Sequence, residues 1–345
     1  MTNLGCTYLG IPLRSPIVAS ASPMTNSLER LRALEQAGAG AVVLPSLFEE
    51  EVNRDVPRRR IDLDAGRDSF PEYGTYFPPL EFDHFGPLGH LKLITAAKAH
   101  LSIPVIASVN GATAGWWLRN VELLAAGAPD ALELNLYSVQ ANPELSATDV
   151  EDGYLRLIDD VRFRVSLPLA VKLSPYLSST ANFARRLVDA GVDALVLFNR
   201  FYQPDINLDT LDAERSVDLS TPDDMVLPLR WIGLLRPLLP RTSLALTSGV
   251  RGGLDVAKAI LAGADVAMMA SALLRRGAGQ VAIAEAELVA WMTMRGYQSV
   301  AQMRGSASSP PTRDVGAYER AHYIRALARY PISPPARSSG QSTRA

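Results

Sequence analysis

An Ala-Gly pair that closes a helical stretch is followed within a residue or two by a short apolar run, and this happens four times along the chain. The copies are Ala37-Gly38 before 41–44, Ala126-Gly127 before 131–134, Ala190-Gly191 before 194–198, and Ala262-Gly263 before 266–269. Glycine suits the left-handed position that stops a helix, and an unbroken apolar run suits a parallel strand buried on both faces. Each copy therefore reads as an αβ unit. Four more runs, at 16–20, 103–109, 167–173 and 243–247, raise the number of strands to eight, with amphipathic helical segments between them. Eight such units close into a barrel, so the expected fold is α/β, a single (β/α)8 TIM barrel.

Two connections are too long to be plain turns, and long loops in a compact domain are usually functional or without fixed structure. The first runs from Pro45 to Gly89 after strand 2 and carries Phe70, Tyr73, Tyr76, Phe77, Phe82 and Phe85. The second runs from Asn199 to Leu227 after strand 6. Both leave the C-terminal ends of strands, where barrel enzymes keep their active sites, so each is a candidate lid; an oligomerising excursion is the alternative. The expected division is a barrel over residues 1–306 and a tail over 307–345, with a helix from Tyr318 to Tyr330 and a Ser/Pro-rich, disordered end.

At 345 residues, the chain is long for one domain but within the range of a barrel with insertions. A net charge of −2 gives no electrostatic reason to expect nucleic acid or an anionic membrane as partner, and a small-molecule ligand fits better. The lone cysteine, Cys6, cannot form an internal disulfide, which fits a reducing cytoplasm. No apolar stretch reaches the roughly 20 residues of a membrane helix. The N-terminus also lacks the pattern of a signal peptide, so a cytoplasmic chain without an integral membrane segment is expected.

Polar residues that end apolar strands project into the barrel mouth and can be collected as one site. They are Ser20, Ser108, Asn110, Glu133, Asn135, Lys172, Asn199, Thr247, Ser248, Gly249, Ala270 and Ser271. The last two strands end in small residues, the form in which a barrel holds a phosphate on backbone N–H groups. Lys172 is the one cation of this set and lies inside an apolar strand, where a lysine needs a partner. Three readings are open: a structural pair with Glu133, a Schiff-base lysine as in barrel aldolases, and a cation that stabilises negative charge on a reduced flavin. Asn135 and Asn199 suit the third, because amides can address the carbonyl and N–H edge of a flat heterocycle, although each could equally tie down a loop.

With these residues in place, the chain resembles the dihydroorotate dehydrogenase family of FMN-dependent barrels, and most closely the dihydroorotate dehydrogenase-like branch found in bacteria. The resemblance runs from 9–22 to 296–305 and includes Glu133-Leu-Asn-Leu136, Val171-Lys-Leu-Ser-Pro-Tyr176 and the two closing strands. It implies an FMN cofactor held by Ser20, Ala21, Ser46, Asn110, Asn135, Lys172, Asn199, Ser248, Gly249, Ala270 and Ser271. Catalysis would fall to Ser138 as base and to Lys172, with substrate contacts from Asn135, Asn199 and Gln140; no metal is implied. The implied activity is oxidation of dihydroorotate, or a related dihydropyrimidine-like substrate, by proton abstraction and hydride transfer to flavin N5, as in pyrimidine biosynthesis.

The departures from the family pattern bear on the substrate. Here the base-bearing stretch reads Asn135-Leu-Tyr-Ser138-Val-Gln140, so Ser138 takes the base position and Gln140 replaces a substrate-contacting asparagine. A serine base must pass its proton onward to water or to a neighbour. Pro45 stands where the family has an active-site lysine, and the segment around Gly66–Pro71 has no equivalent of the family's carboxylate-gripping loop. Arg200, Arg67 and Arg54 are candidates for the missing positive charge. Two alternatives therefore stay open: a flavin-binding member with another substrate or no turnover, and an aldolase using Lys172. Relatives imply a homodimer and, in some cases, a separate iron–sulfur flavoprotein as electron-transfer partner; the chain has no cysteine cluster of its own. No N-terminal quinone-docking extension is expected before the first strand.

Overall fold

The computed structural model describes residues 2–49, 86–111, 114–203, 205–209, 218–308 and 315–329. Contacts divide the chain into two units, Met1–Ser308 and Ser309–Ala345. In the second unit the described element is a helix at Val315–Ala328, starting a little before the expected Tyr318.

Ten strands are described in the first unit. Two short ones, β1 (Cys6–Tyr8) and β2 (Ile11–Leu13), form an antiparallel hairpin. The remaining eight are β3 (Ile17–Ala19), β4 (Ala41–Phe48), β5 (Val105–Asn110), β6 (Ala131–Asn135), β7 (Leu169–Lys172), β8 (Ala194–Leu197), β9 (Ser243–Thr247) and β10 (Val266–Met269). These eight close in sequence order, with β10 pairing β3, so the chain is a TIM barrel.

Alternation along each strand separates two cores. Leu169 and Val171 of β7 face the surrounding helices with Leu132, Leu134, Leu195 and Leu197. Ala170 faces inward with Val18, Val43, Ile106, Ala131, Ala194, Val196, Ala245, Val266 and Met268. By the same period of two, Ser108, Glu133, Asn135 and Lys172 belong to the inner face, nearer the C-terminal ends of their strands.

The β1–β2 hairpin, which strand-pattern reading does not reveal, closes the opposite end. Its two-residue turn places Leu9 at φ 56° and Gly10 at φ 75°, the left-handed pair that a primed hairpin turn requires. A leucine is strained there. It is held because Leu9, Tyr8 and Leu13 are buried in the inner core and Ser243 Oγ accepts the Leu9 N–H at 3.0 Å.

The recurring Ala-Gly pattern also hides an aspartate device. Asp130, Asp193 and Asp265 each stand just before a strand and accept an N–H from the start of the preceding strand, from Val105 at 2.8 Å, Leu169 at 2.9 Å and Leu244 at 2.7 Å. Each is also paired with a cation from the end of an earlier helix: Lys98, Arg162 and Arg236 respectively. The first copy has Gly40 at that place instead, because a Cβ there would stand 2.0 Å from Ser15 O. Gly127 differs from expectation as well. The left-handed residue in that copy is Ala128, at φ 52°, and Gly127 is required by space, since a Cβ would meet Ile94 Cγ2 at 2.8 Å.

Strand β4 corrects the boundary of the first long connection. Pro45 does not begin a loop: it lies within the strand, at a register shift between Val43 and Ser46. Proline has no N–H to give a ladder and is tolerated in strands at such irregularities. The next described helix opens at Gly86 rather than after Gly89. Phe70, Tyr73, Tyr76, Phe77, Phe82, Phe85, Arg54, Arg67 and the Gly66–Pro71 segment lie outside the described residues. After β8, a short 3-10 helix at Pro222–Met225 leads directly into the helix Val226–Leu235, so the second connection also ends earlier than expected.

Candidate functional site at the barrel mouth

Strand register builds the centre of the site. Asn135, the last residue of β6, is the register partner of Lys172, the last residue of β7. One pair down the barrel, Glu133 pairs with Ala170 on one side and with Ser108 on the other. Glu133 is 1% exposed, and neither of its carboxylate oxygens has a hydrogen-bond partner. The structural pair with Glu133, one of the three open readings of Lys172, is therefore not formed as a direct contact, although the lysine charge still acts on the carboxylate. Burial raises the Glu133 pKa, and Lys172, then Ser108, work against that rise. Asn135 Oδ1 is likewise buried and without a partner. An orphaned carbonyl and an orphaned carboxylate beside a half-buried cation leave this part of the mouth with unmet polar demand.

The remaining strand ends frame this centre. Ser20 is buried at the end of β3, and its N–H donates to Met269 O at 2.9 Å. Ala21 packs on the inner core. Ser46 Oγ and Ser108 Oγ lie 2.7 Å apart, and Asn110 is buried at the end of β5. Asn199 uses its amide nitrogen to hold two neighbours, donating to Lys172 O at 3.2 Å and Leu136 O at 3.3 Å. Its loop-tying role is thus observed, and it fixes the ends of β6 and β7 relative to β8.

On the far side of the mouth, Ser248 and Gly249 adopt φ values of 77° and 73°. Ser248 is a non-glycine residue in the left-handed region that glycine favours, and such strain persists where the surroundings over-determine it. Gly249 is demanded twice, by its φ and by Met225 N, which would stand 2.6 Å from a Cβ. Ala270 caps the helix Ser271–Arg276 without any side-chain hydrogen bond. Ser271 Oγ, however, accepts the N–H of Ser220 at 2.9 Å, so its hydroxyl serves the post-β8 segment. Arg275 holds the same segment through Ser220 O at 3.0 Å and Leu219 O at 3.1 Å.

The loop after β6 carries Ser138. Gln140 Nε2 donates to Ser138 Oγ at 2.8 Å and to Tyr154 Oη at 3.4 Å. Gln140 is thus turned toward the serine, not held as an isolated substrate contact. Just before it, Tyr137 stacks on Phe201 with centroids 4.5 Å apart, and its Oη accepts the N–H of Tyr202 at 2.8 Å. Tyr176 meets Phe201 edge-on at 5.3 Å. This stack joins the loops after β6, β7 and β8. Arg200 is engaged by the Asp218 carbonyl and by Asp224, 3.7 Å away, so it is tied to its own loop and not offered to a ligand.

Sequence reasoning missed Tyr154 and the Tyr137–Phe201–Tyr176 stack. Tyr154 shares a helical face with Leu157, Ile158 and Val161, so its spacing reads as core packing. Cys6 lies in the hairpin at the other end of the barrel, and burial, with a contribution from Asp265, pushes its thiol up to about 12. Among the described residues, no helix is long and apolar enough to cross a membrane.

A closed eight-stranded barrel whose strand ends converge on a polar mouth defines the class: a TIM barrel with a small-molecule site at its C-terminal face. No family model matches the chain. It is 25% identical over 311 residues to the dihydroorotate dehydrogenase B (NAD(+)) catalytic subunit of Methanosarcina mazei, covering 87% of this chain and 94% of that protein. The same-named subunit of Thermoplasma volcanium is 24% identical over 319 residues, covering 89% and 99%. That of Cutibacterium acnes is 28% identical over 272 residues, covering 77% and 85%. At 24–28% identity over most of its length, the chain is similar to these dihydroorotate dehydrogenase catalytic subunits.

Proposed function

We propose that this protein is an FMN-dependent oxidoreductase acting on a CH–CH donor, with dihydroorotate or a related dihydropyrimidine-like, carboxylate-bearing molecule as substrate, in pyrimidine biosynthesis. The observation that carries the reading is the in-register pair Asn135–Lys172, an amide with an orphaned carbonyl beside a cation. Such a pair suits the polar edge of a flat heterocycle that gains negative charge. The similarity to named dihydroorotate dehydrogenases supports the substrate class.

The residues present fit the cofactor. Asn135 Oδ1 has an unmet acceptor site, and the strained Ser248-Gly249 turn and the uncapped Ala270-Ser271 helix start offer backbone N–H groups for a phosphate. Ser20, Ala21, Ser46, Asn110 and Asn199 would complete its walls. When bound, FMN supplies a two-electron acceptor for hydride. Lys172 contributes a fixed positive charge where negative charge develops. Ser138 takes a proton from the substrate carbon, and Asn135, Asn199 and Gln140 orient the substrate. The relatives' description as a catalytic subunit supports a separate electron-transfer partner. A homodimer in the cytoplasm completes the proposal.

The test is an anaerobic titration of the FMN-reconstituted protein with dihydroorotate and a panel of dihydropyrimidines, followed by flavin absorbance. Bleaching by one of them supports the reading; protein that stays colourless after reconstitution overturns it. A second reading, turnover of a different substrate, is favoured by Gln140, whose amide nitrogen is already engaged by Ser138 and Tyr154. Bleaching by a panel member but not by dihydroorotate would select it.

A further inference from the structure

We propose that Tyr154 is the positioning partner of Ser138 and the exit for its proton, so that position 138 is an activated acid–base site made of three side chains. The inference rests on the reading of Ser138 as the base.

A serine hydroxyl accepts a proton only if its own proton leaves in the same event. The structure supplies a route. One amide nitrogen, Gln140 Nε2, donates to both Ser138 Oγ at 2.8 Å and Tyr154 Oη at 3.4 Å, drawing the two oxygens toward a common donor. With an Oγ lone pair taken by the amide, the Ser138 hydroxyl can turn its own proton toward Tyr154 Oη, the other oxygen held by the same donor. Tyr154 lies on the helix Ala147–Arg164, with its ring against Phe183 at 6.2 Å. It is half-buried, anchored at the ring yet within reach of water.

Among the described residues, the carboxylates that precede Tyr154 on its helix are engaged elsewhere. Glu151 and Asp152, in the same helix, are both paired with Arg186, the former at 2.8 Å. Asp149 is held by Ser146 in the capping of that helix. Burial raises the Tyr154 pKa, and Gln140 and Ser138 oppose the rise, with no charged group contributing. The step balances as follows: the substrate C–H proton joins Ser138 Oγ, the original Ser138 proton passes to Tyr154 Oη, and the Tyr154 proton leaves to water. Bound FMN would accept the substrate's second hydrogen as hydride. Serine and tyrosine both end neutral.

The first test needs neither cofactor nor turnover. In the full chain, Ser138→Cys places a thiol at the site, and its alkylation by iodoacetamide is followed against pH with and without Tyr154→Phe. Cys6, half-buried and with its thiol pushed up to about 12, contributes little background. A thiolate favoured by the phenol should alkylate about tenfold faster near neutral pH when Tyr154 is present. Superimposable pH–rate curves would overturn the inference. In the FMN-loaded enzyme, Tyr154→Phe should lower turnover about tenfold, with partial recovery by imidazole, whereas Ser138→Ala should show no such rescue. Unchanged turnover in Tyr154→Phe would count against it even if dihydroorotate proves to be the substrate. Conversely, a persistent thiol shift in a protein that no dihydropyrimidine reduces would leave the activated site standing and sink the proposed reaction.

Discussion

Asp265 Oδ2 and Arg236 form an ion pair at 2.6 Å in the base of the barrel, with side chains only 3% and 10% exposed. The same carboxylate receives the Leu244 N–H and a second cation, Arg304. Truncating it would leave a buried guanidinium without its counter-charge. Asp265→Ala should therefore destabilise the fold by about 3 kcal/mol or more. Asp193 plays the equivalent part with its side chain 47% exposed, and its loss should cost about 1 kcal/mol. Urea melts of the two variants check the ranking, and equal losses would show that burial is not what sets the cost.

Glu133 predicts a falling stability with rising pH. Burial holds its pKa above the ordinary carboxylate value, so between those two values the native state binds a proton that the unfolded chain has released. Stability is then lost as pH climbs through that window. Glu133→Gln should flatten this slope and raise the melting temperature at the alkaline end. Thermal melts from about pH 4 to about pH 8 would show it, and parallel curves for both proteins would refute the assignment.

At Gly249, an alanine would need a left-handed backbone and would drive its Cβ toward Met225 N. Gly249→Ala should lower stability by about 2 kcal/mol and weaken FMN retention more than it weakens the barrel itself. Comparing the melting temperature with the FMN dissociation constant separates the two effects.

Lys172→Met keeps the side chain's length and removes its charge. The rate of substrate-dependent flavin bleaching should drop about 10²- to 10³-fold if the cation stabilises developing negative charge. Stopped-flow absorbance under anaerobic conditions measures this, and an unchanged rate would leave Lys172 a structural residue.

The barrel was legible because burial on both faces writes its strands as apolar runs, and strand ends such as Asn135 and Lys172 could be collected without knowing their distances. What sequence could not show depends on contacts between distant positions. Tyr154 meets Gln140, and through it Ser138, only across 14 residues of chain, and from its spacing looks like helix packing. Pro45 reads as a strand terminator, yet a register shift lets β4 continue through it. The hairpin escaped notice because Leu9-Gly10 lacks the usual Asn or Asp of its turn, and only burial of Leu9 explains the choice. Ser271 stood out as a phosphate contact, while its hydroxyl is spent on Ser220, a partner 51 residues away.

The β1–β2 hairpin, with Tyr8, Leu9 and Leu13 packed into the inner core, gives the barrel a stopper. Among the described residues, a barrel stoppered at its base is open only toward its mouth. Under the proposed reaction, an oxidised product would leave by that mouth before a second small reactant enters the same space, so the two would take turns. Kinetics measured at several fixed concentrations of a diffusible acceptor should then give parallel double-reciprocal lines, the signature of a shuttle that carries one passenger at a time.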